Sequence, residues 1–440
     1  MEILIKTVQL LFSLTILVFI HELGHFLSAK ACKARVEKFY LFFDPWFSIF
    51  KFKKGDTEYG IGWLPLGGYT KISGMIDESM DTEQMKQPAQ PWEFRAKPAW
   101  QRLIIMVAGV IMNIVLAIGI YIATLAIWGE QYLPTSEVKY GIAVDSLGYE
   151  LGLRNGDKII SIDNAVVEDF SKIPSHILLE KARTIQVERD GKPAEVVIPE
   201  GFLSKMIKSQ SADFISVRIP FEVDDFAKSS PAKAAGLKKG DKIIGIDTLS
   251  TPYFDMFRAE IQKHKNQEVT VVALRENDTV RIRVKVPEKG LIGVAPKPPV
   301  TYFNLSERHY NAFQAIPAGF VKTWKGIDNY WKQLKLIFSK DVKAYESVGG
   351  FITIGKIFPA TWDWESFWAL TAFLSIMLAI LNILPIPALD GGHVLFVLVE
   401  IITGRKPSDK FLEYAQIVGM VLLFGLLILA NGNDIIRLFR

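Results

Sequence analysis

The sequence predicts a multi-pass α-helical membrane protein with four transmembrane helices, and with two tandem copies of a small α+β domain inserted between helices 2 and 3. Three observations predict it. Four apolar stretches are long enough to cross a bilayer, and a motif that begins at Leu151 recurs 84 positions later. Half of the 440 residues are hydrophobic against 22% charged, with mean hydropathy +0.21, a balance that suits a membrane protein with a large water-facing part.

The first span carries the chemistry. Ile3 to Ile20 is apolar except for Lys6 and Gln9, and Phe26 and Leu27 continue that character to Lys30. A helix over this stretch is about 40 Å long at 1.5 Å per residue, enough to cross a hydrocarbon core of about 30 Å with some tilt. Inside it stands His21-Glu22-Leu23-Gly24-His25. Helical residues four apart share a face, so the two imidazoles can hold one metal ion, and Glu22 lies close enough to polarise a water beside it. Ionisable groups at that depth cost about 2–3 kcal/mol each and are seldom there without a task or a partner. The competing reading is a secretory signal peptide, since Ser28, Ala29 and Ala31 follow the apolar run; two histidines and a glutamate in its apolar region speak against that.

The other spans are Leu103 to Trp128, Phe367 to Leu384, and Tyr414 to Ala430, the last short and interrupted by Gln416. Four spans put both termini on one side. Lys30, Lys33, Arg35 and Lys38 follow span one, Arg95, Lys97 and Arg102 precede span two, and Arg405, Lys406 and Lys410 lie between spans three and four. The positive-inside rule then places these loops in the cytoplasm and the long segment from about 130 to 365 outside it. A net charge of +4, dispersed along the chain, gives no argument for nucleic acid. The single Cys32 excludes an internal disulfide framework.

The external segment contains the repeat. Leu151-Gly152-Leu153-Arg154-Asn155-Gly156-Asp157-Lys158-Ile159-Ile160-Ser161-Ile162-Asp163 returns as Ala235-Gly236-Leu237-Lys238-Lys239-Gly240-Asp241-Lys242-Ile243-Ile244-Gly245-Ile246-Asp247. Each copy reads as a short helix ended by glycine, a Gly-Asp turn and a strand of buried isoleucines. Alternating strands follow, at 185–189 and 194–198 in the first copy and at 269–275 and 280–286 in the second. This pattern resembles the bacterial, circularly permuted PDZ domain, a small β-sandwich or barrel whose relatives bind peptide termini by adding a strand to a sheet edge. The alternative is that one or both copies are spacers.

Span three ends in Leu381-Asn382-Ile383-Leu384-Pro385-Ile386-Pro387-Ala388-Leu389-Asp390-Gly391-Gly392-His393. Catalytic zinc takes three protein ligands and keeps one position for water, and Asp390 is the natural third. The alternative role for Asp390 is to cap the helix that starts near Gly392; His393 is read as a non-ligand. Pro385 and Pro387 free backbone groups that lipid cannot satisfy, so the stretch must be packed in protein or face a water-filled cavity.

HELGH in span one, LDGG after span three and the tandem repeat between spans two and three together resemble the site-2 protease family of intramembrane zinc metalloproteases, over essentially the whole chain. The resemblance implies Zn2+ held by His21, His25 and Asp390, with Glu22 as the catalytic base. It implies that Asn382 hydrogen-bonds substrate backbone or the third-ligand loop. Gly109 and Asn113 match a family element that packs close to the catalytic helix, and Gly67, Gly68 and Tyr69 match a membrane-associated β-loop that holds unwound substrate as an added strand. Three departures concern substrate handling: Leu41 to Trp46 where a Gly-Phe-Gly-type stretch is common, Val348-Gly349-Gly350-Phe351 where many have Ser-Gly-Pro-Ile, and Met377 in place of an asparagine.

The expected organisation is span one with HELGH (1–32), a cytoplasmic loop with the β-loop (33–99), span two (100–129), the two PDZ copies (130–220 and 221–296) and an external amphipathic linker (297–365). Span three with LDGG (366–393), a cytoplasmic loop (394–413), span four (414–431) and an external tail (432–440) complete it. The function expected is cleavage of single-span membrane proteins, such as anti-sigma factors and signal-peptide remnants, after a first cut by another protease, in the bacterial inner membrane with the active site toward the cytoplasm. A metal or ion transporter is the alternative from another class, though transporters commonly repeat their spans. A non-catalytic adaptor that recruits partners through its PDZ pair is the third.

Overall fold

The computed structural model describes residues 1–75, 87–209, 214–337 and 349–439. Val348 and parts of the expected cytoplasmic loop, first repeat and linker therefore lie outside the described residues. The chain divides into two compact units, one of residues 1–129 with 309–440 and one of residues 130–308.

The first unit holds four helices long and apolar enough to cross a membrane: α1 (Glu2–Ala31), α2 (Ala99–Ile127), α4 (Trp364–Ile383) and α6 (Asp409–Leu438). Two more long helices lie between them, α3 (Ala312–Ile337) and α5 (Asp390–Thr403). Helices α1, α2 and α4 pack together through polar pairs as well as apolar ones. Thr371 Oγ1 donates to Ser13 Oγ at 3.0 Å and Ser375 Oγ to the Asn113 carbonyl at 2.7 Å, all four residues fully buried. Interhelical hydrogen bonds of this kind add to close packing in a bilayer, where the hydrophobic effect gives helices no net reason to associate.

Three of the expected segments contain helix. The amphipathic linker at 297–365 contains α3, which buries Ala315, Gly319, Thr323 and Leu334 against α2 and α4; a Cβ at Gly319 would come 2.5 Å from Ile122 Cγ1. Its buried stripe is made mostly of small residues, and Phe313, Phe320, Trp324 and Trp331 are exposed, so no large-apolar period announces it. Within the same stretch, residues 306–308 pair with 130–132 and belong to the second unit. The loop at 394–413 begins as α5, an apolar helix too short to count as a span, which Gly404 ends in the left-handed conformation (φ 67°). The tail at 432–440 is the last part of α6. Asn431 and Asp434 remain helical because they accept hydrogen bonds from the backbone N–H groups of Phe351 and Thr353.

Between α1 and α2 a long hairpin, β1 (Val36–Lys54) and β2 (Thr57–Ile72), folds back on itself. Residues 36–43 pair with 64–72 on one side and with 58–61 on the other, and 48–54 add outside 57–62. Phe42 and Trp46 take positive φ (69° and 74°), which glycine adopts without strain and bulky side chains seldom do. Both lie in the Leu41 to Trp46 stretch, where a departure from the resemblance was noted.

The second unit has two hydrophobic clusters, one between Val138 and Ile215 and one between Phe221 and Ile292. The repeat is structural as well as sequential. Lys158–Ile162 and Lys242–Ile246 are strands, each paired antiparallel to the next long strand, Thr184–Arg189 or Glu268–Arg275. Gly152 and Gly236 sit at matching helix ends with φ near 100° (100° and 105°). The first copy carries in addition a helix, Phe202–Ser209, whose Phe202 and Met206 are buried in its core.

Candidate metal centre

The HELGH residues lie on the face of α1 that meets α2. Two glycines make that approach close. A Cβ at Gly24 would lie 2.5 Å from the Ala108 carbonyl oxygen, and one at Gly109 would lie 2.5 Å from His25 Nε2 and 2.7 Å from His21 Cε1. Gly109 is therefore the space in which both imidazoles stand.

Helix α4 stops at Ile383, and a turn through Pro385, Pro387 and Ala388 (φ 75°) leads to Asp390, the first residue of α5. Helix α6 buttresses the turn, since Gly419 packs directly on the Pro387 carbonyl. The N-cap of α5 is Leu389, with no side-chain cap, so the Asp390 carboxylate is not spent on capping.

Tertiary folding thus brings His21, His25 and Asp390 together. Their ligand atoms all lie within 4.8 Å of one another, and this is the metal-competent group among the described residues. Asp390 Oδ2 is 3.1 Å from His21 Nε2 and 3.2 Å from His25 Nε2, and the two Nε2 atoms are 3.3 Å apart. His25 Nδ1 is 2.8 Å from the Ile105 carbonyl oxygen, so it is the protonated nitrogen and Nε2 turns a lone pair inward. Asp390 Oδ2 is buried and has no hydrogen-bond donor. Three acceptor atoms converging in a buried space repel one another unless a cation lies among them, so the donor set fits a divalent metal.

Glu22 stands beside this group and outside it. The hairpin abuts it: Thr70 Oγ1 donates to the Glu22 carbonyl at 3.2 Å, and a Cβ at Gly68 would lie 3.5 Å from Glu22 Cγ and 2.9 Å from Val18 Cγ1. Tyr69 stacks on Tyr40 and donates to Asp44 Oδ1 at 2.9 Å; burial and that carboxylate hold its phenol protonated well above the usual range. Gly67 packs on the Phe43 ring. Asn382 Nδ2 lies 3.3 Å from His21 Nε2. Asn113 also reaches His21, with Nδ2 3.3 Å from Nδ1, a contact beyond the helix packing that the sequence suggested. His393 is not part of the group. The sequence reading missed Ile105, Thr70 and Gly419, which act through backbone or close contact and carry no residue-type signal.

Membrane-crossing helices around a His-His-Asp group with a neighbouring glutamate define a membrane metallopeptidase. The chain belongs to Peptidase family M50, whose sequence profile matches residues 9–426. It is similar to the regulator of sigma-E protease RseP of Escherichia coli, at 27% identity over 97% of this chain and 97% of that one. It is likewise similar to the protease RseP of Yersinia pestis, at 26% identity over the whole of both chains. A Neisseria meningitidis chain that carries a provisional zinc-metalloprotease name is 27% identical over 97% of this chain and 98% of its own. The protein is a zinc metalloprotease of the membrane.

Proposed function

We propose that the chain is an intramembrane endopeptidase of the bacterial inner membrane that cuts single-span proteins, anti-sigma factors and signal-peptide remnants among them, after another protease has trimmed them. The observation that carries the reading is the orphaned Asp390 Oδ2 facing two imidazole Nε2 atoms beside Glu22, on helices apolar enough to lie in a bilayer.

His21, His25 and Asp390 would hold the zinc, which would supply Lewis acidity there. Glu22, beside them, is placed to take a proton from the attacking water and later to give it to the leaving amine. Ile105 fixes the tautomer of His25. Asn113 serves His21 in the same way, with its amide turned so that Oδ1, buried without a partner, accepts from the protonated Nδ1. A substrate helix hides its carbonyls in its own hydrogen bonds, so it must unwind before attack. Among the described residues, 64–72 pair with a strand on one side alone, and this edge lies against α1 at Glu22, which suits an added substrate strand.

The inserted repeats are read as PDZ domains. A cleft of about 480 Å3 in the second copy, between Phe254–Ile261 and the Gly290–Ala295 segment, is the place for a peptide terminus. The chain enters the pair directly from span two and leaves it into α3, and we read the pair also as a filter against bulky external domains. Replacing residues 139–294 by a flexible linker is expected to raise cleavage of untrimmed substrates and leave trimmed ones as before; loss of both, in a folded and zinc-loaded protein, makes the pair a delivery device instead.

Glu22→Gln tests the chemistry. It removes the base and no ligand, so zinc is retained while hydrolysis of a model span falls about 10²–10⁴-fold. Cleavage at a rate comparable to wild type ends the assignment.

A further inference from the structure

Two residues of the metal-competent group share α1, while the third, Asp390, is carried in by a separate helix, α5. Before a cation arrives, three converging acceptors repel one another, so Asp390 keeps its place only if its helix is held from elsewhere. The outward side of α5 is exposed at Leu395, Leu398, Val399 and Ile402. Its inward side buries Gly391, Gly392, Val394 and Val397, so apolar burial there rests on two valines.

A polar contact holds the other end. Glu400 stands ten residues beyond Asp390, about 15 Å along the helix axis, and meets Arg102 of α2. Arg102 is only 6% exposed; its Nη2 donates to Glu400 Oε1, and its Nε donates to the Lys97 carbonyl at 3.0 Å. Glu400 Oε2 is buried and has no hydrogen-bond partner among the described residues, so Arg102 is the group that balances this carboxylate. Three residues further along α2, on the same side, the Ile105 carbonyl holds His25 Nδ1 at 2.8 Å, and Gly109 beyond it gives both imidazoles their space. One helix therefore sets the histidines through Ile105 and Gly109, and sets α5 through Arg102.

Resting on the reading of His21, His25 and Asp390 as zinc ligands, we propose that Arg102 and Glu400 are positioning residues of the metal centre: their ion pair fixes α5 to α2 and so presents Asp390 to the two imidazoles before the cation arrives. Without the pair, part of the zinc binding energy is spent on seating α5, and affinity falls by that amount.

The test uses the full-length protein in lipid nanodiscs and reads zinc affinity by competition with a chelator. Arg102→Ala is expected to weaken zinc binding about 10–100-fold, and excess zinc is expected to restore hydrolysis of a model span. Amide hydrogens of α5 exchange faster in this variant when zinc is chelated and regain protection when zinc is added. Glu400→Gln keeps the size of the side chain and loses its charge; it is expected to weaken zinc binding in the same direction by about fivefold, and it decides the matter if Arg102→Ala does not fold. Because the two residues act through each other, Arg102→Ala with Glu400→Ala costs no more zinc affinity than Arg102→Ala alone. Zinc affinities within about twofold of wild type in both single variants overturn the proposal, whatever their unfolding midpoints, since a merely structural pair would lower stability and leave the site of the folded protein unchanged. Additive losses in the double variant overturn it too. Asp390→Ala is the reference: if it binds zinc as wild type does, the ligand assignment itself fails, whereas loss of zinc there with wild-type affinity in the Arg102 and Glu400 variants refutes the positioning role alone.

Discussion

In the inserted unit the two most deeply buried carboxylates, Asp157 and Asp241, are matched group for group. Asp157 accepts from Arg189 Nε at 2.8 Å and Nη2 at 2.7 Å and from the Arg154 backbone N–H at 2.8 Å, and the same Arg189 holds the Gly152 carbonyl. Asp241 repeats this in the second copy with Arg275, Lys238 and Gly236. In the membrane unit Asp390 is also nearly buried, yet its Oδ2 faces two imidazole nitrogens and no donor. Buried polar groups that are fully paired secure a turn and a sheet; a buried acceptor left unpaired among other acceptors marks where something else must bind. The two arrangements should therefore respond oppositely to mutation.

The largest expected effect is that of Asp390→Ala, which removes a ligand: zinc per chain and hydrolysis both fall to background, while residues 130–308 keep their hydrogen-exchange protection. Loss of protection there would break the contrast. Next comes Asn382→Ala, whose amide touches His21 Nε2; activity or zinc affinity is expected to fall about 10–100-fold, and zinc titration with kinetics separates the two. Arg275→Ala reverses the pattern. It leaves the Asp241 carboxylate, 1% exposed, without its guanidinium and is expected to destabilise the second copy by about 3 kcal/mol with zinc content unchanged, as read by denaturant unfolding. Arg189→Ala should do the same to the first copy.

The smallest effect is in pH. Burial acts to raise the pKa of Asp241, but the Arg275 fork and the Lys238 N–H outweigh it and hold the carboxyl below its usual value. A depressed folded pKa gives stability that is present above the unfolded value, about 3.9, and is lost as pH falls through the folded one. Acid unfolding of the second copy should thus shift to higher pH in Arg275→Ala; an unchanged acid midpoint would show that the clamp carries no linkage.

Much of this was legible in the chain. Apolar runs marked the four membrane-crossing helices because bilayer thickness fixes their length, and the repeat at a period of 84 marked the duplicated unit because the Gly-Asp turn and the isoleucine strand are local. HELGH and LDGG named the residues that meet. What local patterns did not carry lay in packing. Helix α3 was read as a linker because its buried stripe is mostly small. Helix α5, whose start near Gly392 was expected, was given no extent because it is too short to span, and the end of α6 was read as a tail because its polar residues find partners in a distant segment. By itself the sequence determined the four long apolar helices, the repeat, the ligand types and the spacing of the two histidines, since these follow from periods of a few residues and from side-chain chemistry. Tertiary structure alone decided that Asp390, hundreds of residues away, faces His21 and His25, that Asn382 turns to His21, and that Gly109 makes room for both rings, because contact distance between helices is a property of their packing and of no stretch of chain.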